Sequence, residues 1–303
     1  MANARGKDMD TTSLSIEEAA KRGWIHRDYI AHVFRWQHVV KKMRGPKFKD
    51  MWLLDVGCGK EAPLPFTLYS NVLNHKGGKG GYLGLDYGRK IEPHHLLTNA
   101  VKNGTFNASF VERCDFTKGV PVVSQGIRDD PCPHEYDVVT CFEVVEHVEP
   151  FTAFQVLSQI AKALKSNGTA YISTPVFDPK VGAAANHVNE MSYTLMECMI
   201  AAAGMKHILV YGTFASQKDL KPVMTVEHRD LLSHLSQYHD PNVLANFFAP
   251  LYPQQSRNCL WVCVADPSAD RKHVIRFMKN IPSIKSSSTS LADDIKKIAK
   301  AIK

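Results

Sequence analysis

The chain has 303 residues, 44% of them hydrophobic, 9% aromatic and 22% charged, with a formal net charge of +7. That composition excludes disordered, collagen-like and repeat architectures, and no run reaches the roughly 18 apolar residues of a membrane span. The charge is uneven: residues 271–303 hold nine Lys/Arg against two Asp, leaving 28 residues of each sign in 1–270, so the body lacks the basic face of a protein that grips duplex DNA.

The first residues, Met-Ala-Asn-Ala-Arg-Gly-Lys-Asp, contain no apolar signal region, which predicts a cytoplasmic location. Seven cysteines without a C-x-x-C pair argue for reduced thiols over a disulfide framework or a cysteine-built zinc site.

Residues 14–44 read as a helix, with Tyr29, Ile30, Val33, Trp36, Val39 and Val40 at mixed three and four spacings before Gly45-Pro46. The apolar run 51–56 then predicts a buried strand ending in a glycine turn. A helix over 64–73 and a flexible glycine-rich loop over 76–81 follow. Further strands are expected at 82–86, 108–113, 136–140, 169–173, 207–214 and 258–265, with helices at 150–164 and 193–203. Alternating strands and helices predict a parallel sheet covered on both faces. About forty residues with four prolines separate the last two strands and read as an insertion, helical over 226–238. Ser286–Ser290 reads as a linker before a short terminal helix. The expected organisation is a helical cap over 1–50, a core over 51–214 and an insertion over 215–257 that serves substrate recognition. The last core strand, 258–267, precedes a basic tail, 268–303.

The sharpest motif is Leu54-Asp55-Val56-Gly57-Cys58-Gly59 at the end of the first core strand, with Asp86 ending the second and Asp115 following the third. Glycines there let a ligand approach the backbone, and an acid at the second strand's tip suits a ribose diol. Lys60-Glu61-Ala62-Pro63 replaces the third glycine of the dinucleotide fingerprint, so a pyrophosphate is poorly accommodated.

This pattern resembles the class I S-adenosylmethionine-dependent methyltransferases over residues 50–214 and 258–265. The match rests on Leu-Asp-Val-Gly-Cys-Gly (54–59), Tyr-Leu-Gly-Leu-Asp (82–86), Cys-Asp-Phe (114–116), the segment from Tyr136 to His147, and Leu164 to Pro175. The resemblance implies an α/β fold with a Rossmann-like, seven-stranded, mostly parallel sheet, helices on both faces, the N-terminal cap and the insertion before the last strand. It implies S-adenosylmethionine as cofactor, with Asp55, Gly57, Cys58 and Gly59 along its methionine part, Asp86 on its ribose and Asp115 with Phe116 at its adenine. Tyr87 and Phe142 are expected beside them.

A second constellation follows the fourth strand: Glu143, Glu146 and His147, with His187 forty residues on. A helical turn would put Glu143 and His147 on one face with Glu146 alongside, and carboxylates with imidazoles offer O and N ligands for Mg, Mn or Zn. The Glu-x-x-Glu-His turn is similar to that of small-RNA 3′-end 2′-O-methyltransferases and quinone-biosynthesis O-methyltransferases. Without a metal, His147 or His187 is the expected general base, and the same four residues line the pocket mouth.

No Asp/Asn-Pro-Pro-aromatic motif follows the fourth strand, which disfavours methylation of a base amino group. Cys132 precedes that strand and reads as a loop thiol. Tyr29, His32, Arg35, Trp36 and His38 on the cap helix read equally as a lid or as packing. His228, Arg229, His234, Tyr238 and His239 in the insertion read as substrate selectors or as a solvated face. In the tail, Leu291, Ile295, Ile298 and Ile302 form an apolar stripe, suited to an anionic membrane or nucleic acid or to docking on its own domain. The expected activity is methyl transfer to an oxygen of a small or modest-sized acceptor. The second reading is a nucleic-acid methyltransferase that uses the tail, and the third a silent scaffold that serves as an interaction protein.

Overall fold

The computed structural model describes residues 27–43, 50–71, 80–88, 90–123, 132–280 and 285–302. The expected helical segment 14–26 and most of the glycine-rich loop 76–81 lie outside the described residues. The chain begins with helix α1 (Arg27–Lys42), strand β1 (Trp52–Val56), helix α2 (Pro63–Asn71) and strand β2 (Gly81–Leu85). Helix α3 (His95–Lys102), strand β3 (Ala108–Val111), strand β4 (Tyr136–Phe142) and helix α4 (Pro150–Ala163) come next. Strand β5 (Leu164–Pro175), helix α5 (Tyr193–Ala202) and strand β6 (Met205–Phe214) precede three short helices, α6 (Gln217–Leu220), α7 (Val226–Leu235) and α8 (Pro241–Phe248). Strand β7 (Asn258–Ala265) and helices α9 (Arg271–Asn280) and α10 (Leu291–Ala301) complete the fold.

The seven strands form one sheet in the order β3-β2-β1-β4-β5-β7-β6. All pairs from β3 to β5 are parallel, and β7 runs antiparallel to both its neighbours. This is the expected mostly parallel α/β sheet. Side-chain alternation explains why it is covered on both faces. Leu53, Tyr82, Val138 and Leu260 point to the layer containing Trp36, Val39, Leu64, Leu68 and Leu97 of α1, α2 and α3. Leu54, Leu83, Val139, Ile172 and Trp261 point to the layer containing Leu157, Ile160, Met196, Ile275 and Ile298 of α4, α5, α9 and α10.

The tail belongs to that second layer. Helix α9 packs on α5 and α10 on α4, with Ile295 and Ile298 of the apolar stripe buried. The stripe therefore docks on its own domain. Ser286–Ser290, expected as a linker, is hydrogen-bonded along its length to the loops at the sheet's carboxyl edge. The insertion has its own small core of Leu220, Met224, Leu232, Leu244 and Phe248, and α8 rests against α1. Because β6 ends and β7 begins at the carboxyl edge, the insertion rises from the edge at which the β4 and β5 loops emerge. Among the described residues no helix is long and apolar enough to cross a membrane.

Candidate active site

Parallel α/β sheets bind ligands at the carboxyl ends of their strands, where strand order reverses. Here the reversal lies between β1 and β4. The turn after β1 begins at Gly57, with φ +77°, and passes Gly59, with φ +75°. A Cβ on Gly57 would lie 2.3 Å from Val144 Cγ2, whereas a Cβ on Gly59 would meet nothing within 4 Å. The first glycine thus lets the loop abut the turn after β4, and the second leaves open space beside the backbone. The Gly57 and Cys58 amides donate to the Leu85 carbonyl at 2.8 and 3.0 Å, and the Gly59 amide donates to Asp86 Oδ2 at 3.1 Å. Asp86 is therefore tied to the glycine loop at the tip of β2.

Asp55 departs from its expected place. Its carboxylate turns into the sheet, 3% exposed, and accepts bonds from Thr140 Oγ1 and Tyr82 Oη, both at 2.7 Å. Gly84 makes room for this: a Cβ there would sit 2.8 Å from the Tyr82 ring. Asp55 braces the loop from below while the glycines face the opening. Burial pushes its carboxyl up to about 6, against the lowering effect of the two hydroxyl bonds. Asp115 caps the short turn Phe116–Lys118, its Oδ1 accepting from Thr117 Oγ1 at 2.6 Å, and Phe116 is buried beside it. Tyr87 is 75% exposed, and Phe142 packs partly buried against the α1–α3 layer.

The turn after β4 separates the two acids that the sequence analysis grouped. Glu143 adopts φ +58°, and the following turn of 3₁₀ helix covers only Val145–His147. Glu143 and His147 therefore do not share a helical face. The Glu143 carboxylate takes donors from Arg35 Nη1, from Ser173 Oγ at 2.8 Å and from Asn258 Nδ2 at 2.8 and 3.1 Å. Arg35 also donates to Ser173 Oγ at 2.8 Å and, through Nε, to the Ala31 carbonyl of its own helix at 3.0 Å. Burial would raise the Glu143 carboxyl, but Arg35, Asn258 and Ser173 outweigh it and hold the group below the ordinary range. The expected four-residue metal set thus loses Glu143.

Glu146, His147 and His187 do come together. They offer ligand atoms that all lie within 4.8 Å of one another, which no other group of three or more His, Cys, Asp or Glu does among the described residues. Glu146 is fully buried. Its Oε2 accepts from Thr174 Oγ1 at 3.2 Å, and its Oε1 has no hydrogen-bond partner. Burial and then the Glu143 charge push its carboxyl well above the ordinary range. The Val188 and Asn189 amides both donate to the Glu146 carbonyl at 3.0 Å, which docks the β5 loop onto the β4 turn. Nδ1 of His147 lies 3.2 Å from the Asn186 carbonyl, and Nδ1 of His187 lies 2.7 Å from Glu190 Oε1. The rings stand nearly perpendicular, 4.9 Å apart.

Sequence reasoning missed Glu190, Ser173, Thr174 and Asn258. Glu190 had a local signal, three residues after His187; Asn258 had none, since it reaches Glu143 across 115 positions. On the cap helix Tyr29, His32, Arg35 and Trp36 are buried, and Arg35 reaches Glu143 and Ser173 at the strand tips. In the insertion, His228 Nδ1 meets Tyr252 Oη at 2.7 Å, whereas Tyr238 is 70% exposed.

Two outcomes follow from these pairings. Arg35→Ala leaves the Glu143 carboxylate, about a quarter exposed, without its cation, so urea unfolding should show a loss of about 1.5–3 kcal/mol, the range for a hydrogen bond to a charged group. For Asp55, the folded pKa of about 6 exceeds the unfolded value near 3.9. Between those values the folded chain holds a proton that the unfolded chain has lost, so this group's contribution to stability falls as pH rises. Asp55→Asn should gain about 2–3 kcal/mol relative to the parent chain between pH 4 and pH 7. An offset that is constant with pH would contradict that assignment.

The family model described as "Methyltransferase domain" matches residues 29–221, more than half of the chain. The ubiquinone biosynthesis O-methyltransferase of Vibrio cholerae serotype O1 is 25% identical over 219 residues, covering 68% of this chain and 71% of that protein. The Burkholderia thailandensis 1,6-didemethyltoxoflavin-N1-methyltransferase, solved with S-adenosylhomocysteine, is 11% identical, with a TM-score of 0.44 over 83% of this chain and 85% of that one. The YcgJ protein of Bacillus subtilis is 15% identical, with a TM-score of 0.42 over 77% and 96%. With the family model spanning α1 through β6 and the glycine loop, the chain belongs to the methyltransferase-domain family and is an S-adenosylmethionine-dependent methyltransferase.

Proposed function

We propose that the chain transfers a methyl group to a hydroxyl oxygen of a small or modest-sized acceptor, assisted by a divalent cation held by Glu146, His147 and His187. The observation that carries this reading is the buried Glu146 carboxyl, whose Oε1 has no hydrogen-bond partner and which offers a ligand oxygen within 4.8 Å of ring nitrogens of two imidazoles. An isolated buried carboxylate is costly, and a cation at that point would offset the cost. The Nδ1 partners of both rings support the same reading. Ligating histidines are commonly oriented by a carboxylate or a backbone carbonyl on their other nitrogen, here Glu190 and Asn186. One carboxylate with two imidazoles suits Mn or Zn better than Mg, which favours an all-oxygen shell.

The residues present also fit the cofactor. The open face at Gly59 accommodates a ligand against the backbone of the methionine-binding loop, formed by Gly57, Cys58 and Gly59. Asp86 takes the ribose hydroxyls, with Tyr87 beside it, and Asp115 with Phe116 takes the adenine. Phe142 flanks the methyl end. Bound there, S-adenosylmethionine supplies the activated carbon, and a cation supplies positive charge that eases loss of the acceptor proton. The chain's own part is alignment: Arg35, Ser173 and Asn258 fix the turn after β4, Glu146 and the two histidines orient the acceptor oxygen, and the insertion selects the acceptor. As the methyl–oxygen bond forms and the methyl–sulfur bond breaks, the acceptor proton passes to solvent when a cation occupies the imidazoles; without a cation, His147 or His187 would receive it.

The ubiquinone biosynthesis enzyme of Vibrio cholerae, by its name, methylates oxygen, which favours an oxygen acceptor here. The electrically balanced body and the internal docking of the tail stripe favour a small acceptor over a nucleic acid. The test is methyl transfer from labelled cofactor into fractionated cell extract, before and after exhaustive chelation. Label should enter a small hydroxylated compound, fall at least tenfold on chelation and return with Mn2+. His187→Ala should lose activity to a similar extent while still binding S-adenosylhomocysteine. Activity unchanged by chelation, with a fully active His187→Ala, would eliminate the cation; label in RNA or DNA would replace the acceptor class.

A further inference from the structure

The serine run 286–290 lies a hundred residues away from His187 in sequence, yet it closes the back of the loop that carries that histidine. Lys285–Ser287 pair with Glu190–Ser192. The Ser287 amide donates to the Glu190 carbonyl at 2.9 Å, the Glu190 amide donates to Ser287 Oγ at 2.8 Å, and the Ser192 amide donates to the Lys285 carbonyl at 2.8 Å. Ser286 Oγ donates to Oδ1 of the fully buried Asn189 at 2.7 Å. Beyond these, Ser288 and Ser290 Oγ each donate to Glu149 Oε2 at 2.8 Å, two residues past His147. Helix α10 then anchors the strap through buried Ile295 and Ile298.

The strap thus grips both turns that carry the cluster, and it grips Glu190 most directly. The Glu190 carboxylate is nearly buried, and its Oε1 takes both His187 Nδ1 at 2.7 Å and the Ala184 amide at 2.9 Å. The strap's hydrogen bonds outside its own segment and α10 go to Asn189, Glu190, Ser192 and Glu149. The tail's hydrogen bonds are therefore concentrated on the histidine side of the crevice, away from the cofactor side.

We propose that Ser286 and Ser287 are positioning residues: the C-terminal strap fixes Asn189 and Glu190, and Glu190 orients the His187 imidazole for the site. The inference rests on the reading of Glu146, His147 and His187 as a cation site. Partners one shell behind a metal ligand typically contribute 10–100-fold to metal affinity, because they set the ligand ring's tautomer and direction. A loop held by a few backbone bonds opens locally at low cost unless another segment pins it. The tail pins this loop at the residue that orients the ring.

The experiment uses the full chain with Ser286→Ala/Ser287→Ala, Ser287→Ala alone and Ser287→Thr, which keeps the hydroxyl. Mn2+ binding is followed by electron paramagnetic resonance and S-adenosylhomocysteine binding by calorimetry. The double variant should bind Mn2+ about tenfold more weakly, bind S-adenosylhomocysteine within twofold of the parent, and leave Ser287→Thr near the parent for both. Unchanged Mn2+ affinity would overturn the proposal, and so would a parallel loss of both ligands, which marks a merely structural strap. If the double variant does not fold, Ser287→Ala is read in the same way. If the parent chain takes up no Mn2+, the cation reading fails, and hydrogen exchange over residues 184–192 decides the strap. Exchange about tenfold faster in the variant, with cofactor-product affinity kept, supports the strap, and unchanged exchange overturns it.

Discussion

The part-buried ion pair between Arg35 and Glu143 is the constraint on which the site depends. It joins the cap helix to the tips of three strands, because Ser173 of β5 and Asn258 of β7 bond the same carboxylate. Thr213 of β6 extends the network by donating to Asn258 Oδ1 at 2.6 Å. Such a pair adds little net stability over a well-packed apolar alternative, since both charges must be desolvated, but removing one partner is severe. Its value here is directional. With Glu143 held in a left-handed conformation and its carboxylate turned toward α1, the chain leaving β4 turns through Val145–His147 and aims Glu146 toward the histidines.

Two glutamates three positions apart thereby acquire opposite properties. Glu143 faces a guanidinium and two further donors and remains an anion. Glu146 faces a threonine hydroxyl and the Glu143 charge, and burial disfavours its anionic form. A pair of acids whose surroundings push their ionisation apart is a recurring mark of reactive sites. The same turn abuts the glycine loop through Val144 and Gly57, so the cofactor side and the acceptor side share one rigid junction. The loop after β5 then docks on the Glu146 carbonyl, and the C-terminal strap docks on that loop. Each layer is fixed by the one before it, beginning from Arg35.

Much of this was legible in the sequence, and the remainder had physical reasons for being hidden. The strands were visible because parallel strands covered on both faces are near-continuous apolar runs, as in Trp52–Val56. Helices α3, α8 and α9 escaped because short helices with His94, Asp240-Pro241 or Asp270 at their starts look like polar loops. Glu143 was misplaced because spacing reports a helical face only if a helix forms, and its positive φ prevents one. Asp55 was read as a wall of the cofactor site; its partners Tyr82 and Thr140 lie on neighbouring strands, where sequence offers no pairing signal. Ser286–Ser290 looked like a linker because serine-rich composition is the same for a flexible segment and for a ladder of hydroxyl bonds. Only the fold reveals that the ladder's other half is Asn189 and Glu190.

The most direct test of this division between the two acids is anomalous diffraction from crystals of the full chain grown with Mn2+ and S-adenosylhomocysteine. The account predicts one manganese peak bounded by Glu146, His147 and His187, with Glu143 still bonded to Arg35 and Asn258. A peak coordinated by Glu143, or clear S-adenosylhomocysteine density with no manganese at the Glu146 cluster, would contradict it.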